Sequence, residues 1–204
     1  MIYKNDWANK NKYYLANKEL INQPNSNNSI VFIGDSITEF WYDKDPIFFK
    51  SNHFVNRGIS GQTTNQILYR FPDDVIVLKP KSVIILAGIN DIAENSGPIT
   101  LEAIFENIVS MIQLSQQNNI NVILCSILPA NHFYWNLNVK PEDKIISLNE
   151  LIHSYSIRNA IPYVNYYEKM VDSDKGLSIN FSKDGVHPNI EGYNLMKSIL
   201  LKLI

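Results

Sequence analysis

The chain has 204 residues, 45% of them hydrophobic, which suits one globular domain with a sizeable core. Its 18 basic and 20 acidic residues give a net charge of -2. No long block of one sign occurs, so neither nucleic acid nor an anionic membrane surface is indicated as a partner.

In chain order, residues 7–21 read as an opening helix, and residues 1–25 as a helical segment packed on the outside of a single domain, 1–204. The apolar run Ile30-Val31-Phe32-Ile33 is the first strand, bounded by Asn27-Asn28-Ser29 and by Gly34-Asp35-Ser36. A short strand is expected over 53–56, a third over 81–86, a fourth over 121–126 and a shorter fifth over 161–165. Their apolar character is continuous rather than alternating, as in parallel strands covered on both faces.

Helices lie between them. Leu101, Ile104, Phe105, Ile108, Val109 and Ile112 recur at three- and four-residue spacing behind a capping Thr100. Pro141-Glu142-Asp143 opens a second helix with Ile145, Leu148, Leu151 and Ile152 on one face. A last helix is expected over 189–204. This alternation argues an α/β three-layer sandwich on a parallel sheet, with ligands bound at the carboxyl ends of the strands.

The chain has one cysteine, Cys125, in an apolar run, so no intrachain disulfide is possible and a small buried core residue is expected. The N-terminus shows no apolar signal region, and no segment approaches the ~18 consecutive apolar residues of a membrane span. A cytoplasmic chain without stable membrane association is the expectation, or a secreted one if a signal has been removed. Oligomeric state is not legible.

The chemistry-bearing residues fall at strand ends. Ser36 follows the first strand and begins a helix, close to backbone N–H groups that favour negative charge; a plain capping serine is the competing reading. Asp35 is given a structural hydrogen-bonding role. A serine nucleophile needs a base and a group that orients the base. Asp184 and His187, three residues apart ahead of the last helix, supply that pair, whereas His53, His132 and His153 have no such local carboxylate. Gly61, in Asn56-Arg57-Gly58-Ile59-Ser60-Gly61, and Asn90, in Gly88-Ile89-Asn90-Asp91, could donate to an oxyanion, or could be ordinary turn residues.

Taken together, Gly34-Asp35-Ser36, Gly61, Gly88-Ile89-Asn90-Asp91 and Asp184-Gly185-Val186-His187 resemble the Ser-Gly-Asn-His blocks of the SGNH/GDSL hydrolase superfamily. The blocks run in the family's order over residues 30–190, and the departure is Gly-Asp-Ser-Ile in place of Gly-Asp-Ser-Leu. The resemblance implies a flavodoxin-like α/β/α fold with a five-stranded parallel sheet and metal- and cofactor-free ester hydrolysis. It further implies Ser36 as nucleophile, Asp184 and His187 as orienter and base, and Ser36, Gly61 and Asn90 as oxyanion hole. No Gly-x-Ser-x-Gly elbow, nucleotide loop or Cys/His metal cluster competes.

The substrate expected is a small ester with a short acyl group, borne by a carbohydrate or a small lipid, since no extended apolar lid is visible. Trp41, His132 and Trp135 are candidate substrate-binding residues, each with packing as the alternative. A non-catalytic binding module on the same fold, or an acyltransferase using the same residues, are the other readings.

Overall fold

The computed structural model describes residues 3–22 and 29–204, so residues 1, 2 and 23–25 of the expected opening segment lie outside the described residues. Five parallel strands form one sheet in the order β2-β1-β3-β4-β5: β1 Ile30–Gly34, β2 Phe54–Gly58, β3 Ser82–Leu86, β4 Asn121–Cys125 and β5 Tyr163–Val164. β3 is buried throughout, and in β1 only Ile30 keeps partial exposure, as continuous apolar runs covered on both faces require. The second strand begins later than the sequence indicates because His53 sits at φ 55, inside the turn that precedes it, and runs on to Gly58, which pairs with Gly34 of β1. The fifth is reduced to two paired residues at the sheet edge.

Helices cover the sheet in two groups, giving the expected α/β/α layering. On one side, α4 (Thr64–Asp74) packs between α1 (Asn11–Ile21) and α6 (Leu101–Gln117), and α6 meets α7 (Glu142–Arg158). On the other, α2 (Ser36–Lys44) touches α3 (Pro46–Ser51) and α9 (Ile190–Leu200). Two short helices, α5 (Ile89–Ile92) and α8 (Tyr167–Met170), follow β3 and β5. The periodic faces read from sequence point inward: Ile104, Ile108 and Ile112 of α6 and Ile145, Leu148 and Ile152 of α7 are buried. Cys125 is also buried, and enclosure pushes its thiol up to about 12.

The opening helix starts four residues later than its periodicity suggests. Asn9 takes φ 53, and the Asp6 carboxylate accepts the Lys10 and Asn11 amides, so residues 6–10 turn before the helix begins. α1 packs against α4, and the segment before it reaches inward, where the buried Ala8 offers its carbonyl to Gln62 Nε2 at 2.6 Å.

The register fixes where chemistry can occur. Gly34 of β1 lies level with Gly58 of β2 and Leu86 of β3, so the three following loops emerge side by side. β1 has β2 on one side and β3 on the other, which makes its carboxyl end the point where chain order reverses and a crevice opens. α2 lies directly on this edge: a Cβ on Gly58 would stand 2.1 Å from the Glu39 amide nitrogen, so only glycine permits the approach.

Candidate active site

Ser36 is the first residue of α2, immediately after β1. The Asp35 carboxylate caps the helix by accepting the Ile37 amide at 2.9 Å. This leaves Asp35 with the structural bond expected of it and frees the Ser36 hydroxyl. Ser36 is 6% exposed and lines an open cavity of about 810 Å³.

The loop before α9 brings the distant imidazole to that hydroxyl: Ser36 Oγ and His187 Nε2 are 3.0 Å apart. On the other side of the ring, His187 Nδ1 lies 2.8 Å from Asp184 Oδ2. The second oxygen, Asp184 Oδ1, accepts the amides of Val186 (2.9 Å) and His187 (2.8 Å), which closes the three-residue spacing into a tight turn. Partial burial works to raise the Asp184 carboxyl, but the bonds from the His187 amide, the His187 ring and the Val186 amide outweigh it and hold it down at about 2. It is therefore ionised at neutral pH, facing the imidazole.

Two further contacts fix the meeting. Tyr193 of α9 donates its hydroxyl to the Ile37 carbonyl of α2 at 2.8 Å, tying the two helices together. Ser182 Oγ lies 2.8 Å from the His187 carbonyl and accepts the Gly185 amide at 3.0 Å, bracing the turn from beneath. Phe40 and Trp135 flank the imidazole, with ring centroids 5.3 and 6.5 Å away.

Gly61, from the loop after β2, and Asn90, from the short helix after β3, line the same cavity as Ser36. Gly61 has φ +76, a left-handed conformation that suits glycine. Its loop is held at both ends. Glu39 of α2 accepts both the amide and the hydroxyl of Ser60, and the Gln62 side chain accepts Arg70 Nε at 2.5 Å. Asn90 lies in α5 rather than in a turn, and Asp91 beside it anchors that helix by accepting the Thr64 amide and hydroxyl at 2.8 and 2.6 Å. The Asn90 amide donates to the Gln62 carbonyl at 3.1 Å and accepts from Asn95 Nδ2 at 2.8 Å.

The substrate candidates divide. Trp135 lines the cavity. Trp41 does not: its indole is 2% exposed, stacked between Phe48 and Tyr193 at 5.4 and 5.5 Å, because its face of α2 turns into the core. Burial of an aromatic on this scale contributes about 2–3 kcal/mol to stability, which accounts for a tryptophan there without a ligand. His132 is exposed outside the cavity lining, bonded to Asn131 Oδ1 at 2.8 Å and packed behind the Asp184–His187 turn at Gly185. Sequence reading missed Asn95, Ser182 and the buried Arg70–Asp74 pair, whose atoms lie 2.8 Å apart. Each is an ordinary polar residue in sequence, and only the tertiary contacts distinguish it. Among the described residues, no group of three or more His, Cys, Asp and Glu side chains is placed to hold a metal ion, and no helix is long and apolar enough to cross a membrane.

A five-stranded parallel α/β/α sandwich carrying Ser, Gly, Asn and an Asp–His pair at the ends of its central strands is the architecture of an SGNH hydrolase. The chain belongs to the GDSL-like lipase/acylhydrolase family, whose model matches residues 32–195. Two solved bacterial structures are similar over almost their whole length. One is a Bacteroides fragilis protein (46% identity, TM-score 0.95, 98% of this chain and 97% of that one). The other is a GDSL-like lipase from Bacteroides thetaiotaomicron (45% identity, TM-score 0.93, 96% of each chain). The platelet-activating factor acetylhydrolase IB subunit alpha1 of Bos taurus is 27% identical across 86% of this chain and 76% of its own. Against a Bacillus subtilis lipoprotein, YqeF, the match covers only 58% of the relative, so this chain spans little more than half of that protein's length.

Proposed function

We propose that this chain is a serine esterase that removes short acyl groups, acetyl foremost, from a small alcohol through an acyl-enzyme. The observation that carries the reading is the unbroken line Ser36–His187–Asp184, with contacts of 3.0 and 2.8 Å, opening on one cavity. As the Ser36 hydroxyl attacks the ester carbonyl, its proton passes to His187 Nε2. The ionised Asp184 stabilises the imidazolium that results. The oxyanion takes hydrogen bonds from the Ser36 and Gly61 amides and the Asn90 side chain. His187 then returns the proton to the departing alcohol. Water, activated by the same imidazole, adds to the acyl-enzyme carbonyl and releases the acid and free Ser36.

The open cavity supports a short acyl group, because its apolar lining, Phe40, Tyr134, Trp135 and Ile190, offers walls around an open space rather than a long enclosed channel. The Trp135 ring beside His187 suits a sugar as the alcohol, stacked on its face. Likeness to a platelet-activating factor acetylhydrolase subunit supports acetyl as the group removed, and a small lipid alcohol is the second candidate. Hydrolysis of acetyl, butyryl and octanoyl p-nitrophenyl esters, then of acetylated sugars and acetylated lysolipids, separates these. Ser36→Ala should abolish turnover of all of them; p-nitrophenyl acetate hydrolysis by that variant near the wild-type rate would overturn the reading.

A further inference from the structure

An oxyanion donor is useful only if its N–H points at the developing charge, and a side-chain amide can be turned over to present its oxygen instead. The surroundings of Asn90 decide which face it shows. Asn90 Nδ2 donates to the Gln62 carbonyl at 3.1 Å, and Asn90 Oδ1 accepts from Asn95 Nδ2 at 2.8 Å. Asn95 Oδ1 in turn accepts the indole N–H of Trp135 at 2.9 Å. Asn95 is held over Asn90 by its own backbone, since its amide donates to the Asn90 carbonyl at 3.0 Å. Its Nδ2 also lies 3.4 Å from the Gly61 carbonyl.

Both ends of this chain of bonds have a single polarity. A backbone carbonyl only accepts and an indole nitrogen only donates. With the ends fixed, each amide between them has one satisfied orientation. Turning Asn90 over would set its oxygen against the Gln62 carbonyl and its NH2 against the NH2 of Asn95. Turning Asn95 over as well would set its NH2 against the Trp135 N–H. In the satisfied arrangement one Asn90 N–H is taken by Gln62, and the second is free for the cavity that Asn90 lines.

We propose that Asn95 is a positioning residue for the oxyanion hole, which fixes the orientation of the Asn90 amide, and that Trp135 sets the polarity of the relay from the cavity wall. The proposal rests on the esterase reading for its kinetic consequence but not for its structural one. Trp135 thereby has two functions in one side chain, and Trp135→Phe separates them by keeping an aromatic wall while removing the N–H.

The test combines kinetics with a double-mutant cycle. Asn95→Ala should lower kcat about tenfold, a part of the 10²–10³-fold that loss of a whole oxyanion donor costs. KM should stay within about twofold, since ground-state binding is untouched. Trp135→Phe should lower kcat in the same direction by about threefold, by way of one lost hydrogen bond. In an Asn90→Ala background both penalties should vanish, because nothing remains to be oriented. The Asn90 side-chain amide NMR signals, assigned by their absence in Asn90→Ala, should shift in Asn95→Ala and in Trp135→Phe. Penalties that persist undiminished in the Asn90→Ala background, or Asn90 signals that do not move, would overturn the proposal. Asn95 is exposed, so Asn95→Ala should fold as wild type does. If the wild-type protein shows no ester hydrolysis, the esterase reading fails while the NMR result still decides the relay.

Discussion

Two carboxylates stand on either side of Ser36, and their surroundings drive them in opposite directions. Asp184, behind the imidazole, is partly buried but receives the amides of Val186 and His187 and faces the His187 ring, which together hold it down at about 2. Asp35, directly before the serine, is fully enclosed. Burial pushes it up to about 7, with the nearby Asp91 adding to the rise, against the opposing pull of the Ile37 amide, its own backbone amide and the Arg70 cation. Burial also raises Asp91, to about 6, in spite of its two bonds from Thr64. The number of donors, weighed against the depth of burial, decides whether a carboxyl keeps its charge. The site needs that charge only behind His187, where an imidazolium forms.

The largest expected effect breaks this pair apart. Asp184→Asn removes the charge and disturbs the tautomer of His187, and turnover should fall on the order of 10⁴-fold. Asp35→Asn, which keeps an oxygen to cap Ile37, should change turnover only a few-fold. Steady-state hydrolysis of p-nitrophenyl acetate by both variants is the measurement; equal losses would erase the distinction. Next in size is a stability effect from the buried cation that faces Asp35. Arg70 bonds Asp74, the Gln62 side chain and the Gly34 carbonyl, and both Arg70 and Asp74 are 0% exposed. Arg70→Ala leaves the buried Asp74 with the Asn17 amide at 2.7 Å but without its ion-pair partner, and should cost about 3–5 kcal/mol in urea unfolding; a loss under 1 kcal/mol would show that the pair is not needed. Asn90→Ala, which removes a donor while leaving both carboxylates in place, should lower kcat about a hundredfold. A change under twofold would take Asn90 out of the hole.

How much of this was legible in sequence follows from which interactions are local. Ser36, Gly61, Asn90, Asp184 and His187 could be read because each lies in the few residues after a strand or before the last helix, where apolar runs give way to Gly, Asn, Asp and Ser. The Asp184–His187 turn is closed by contacts three residues apart. Trp41 could not be assigned the same way. An aromatic on a helix looks identical in sequence whether it faces solvent or core, and here Phe48 of the next helix and Tyr193 of the distant α9 enclose it. Asn95 was invisible for the converse reason: its partners Trp135 and Gly61 are 40 and 34 positions away. The start of α1 was misplaced because Asp6, a residue outside the apolar periodicity, takes the first amides. Polar contacts across long separations leave no periodic trace, whereas burial faces and strand ends do.

The smallest expected effect concerns the pH dependence that Asp35 builds into the fold. Its ordinary value is 3.8, and in the folded chain burial raises it to about 7. Between these values the unfolded chain has released the proton while the folded chain still holds it, so the folded state binds more protons and loses stability as pH rises. The cost is absent below about pH 4, grows through the window, and is complete above about pH 7. Asp91 adds a cost of the same sign, complete above about pH 6. Asp184, depressed to about 2, has the opposite sign, but its contribution is lost only as pH falls below 4, outside this window. Asp35→Asn retains the cap and cannot ionise, so it should remove its part of the decline. Thermal unfolding at pH 5 and pH 8 should show the variant losing several degrees less than wild type between the two: about two pH units of the window at ~1.4 kcal/mol each, with each kcal/mol shifting Tm by about 2–4 °C in a chain of this size. Parallel declines in the two proteins would mean that Asp35 stays ionised at pH 5 despite its enclosure, and the contrast with Asp184 would then rest on activity alone.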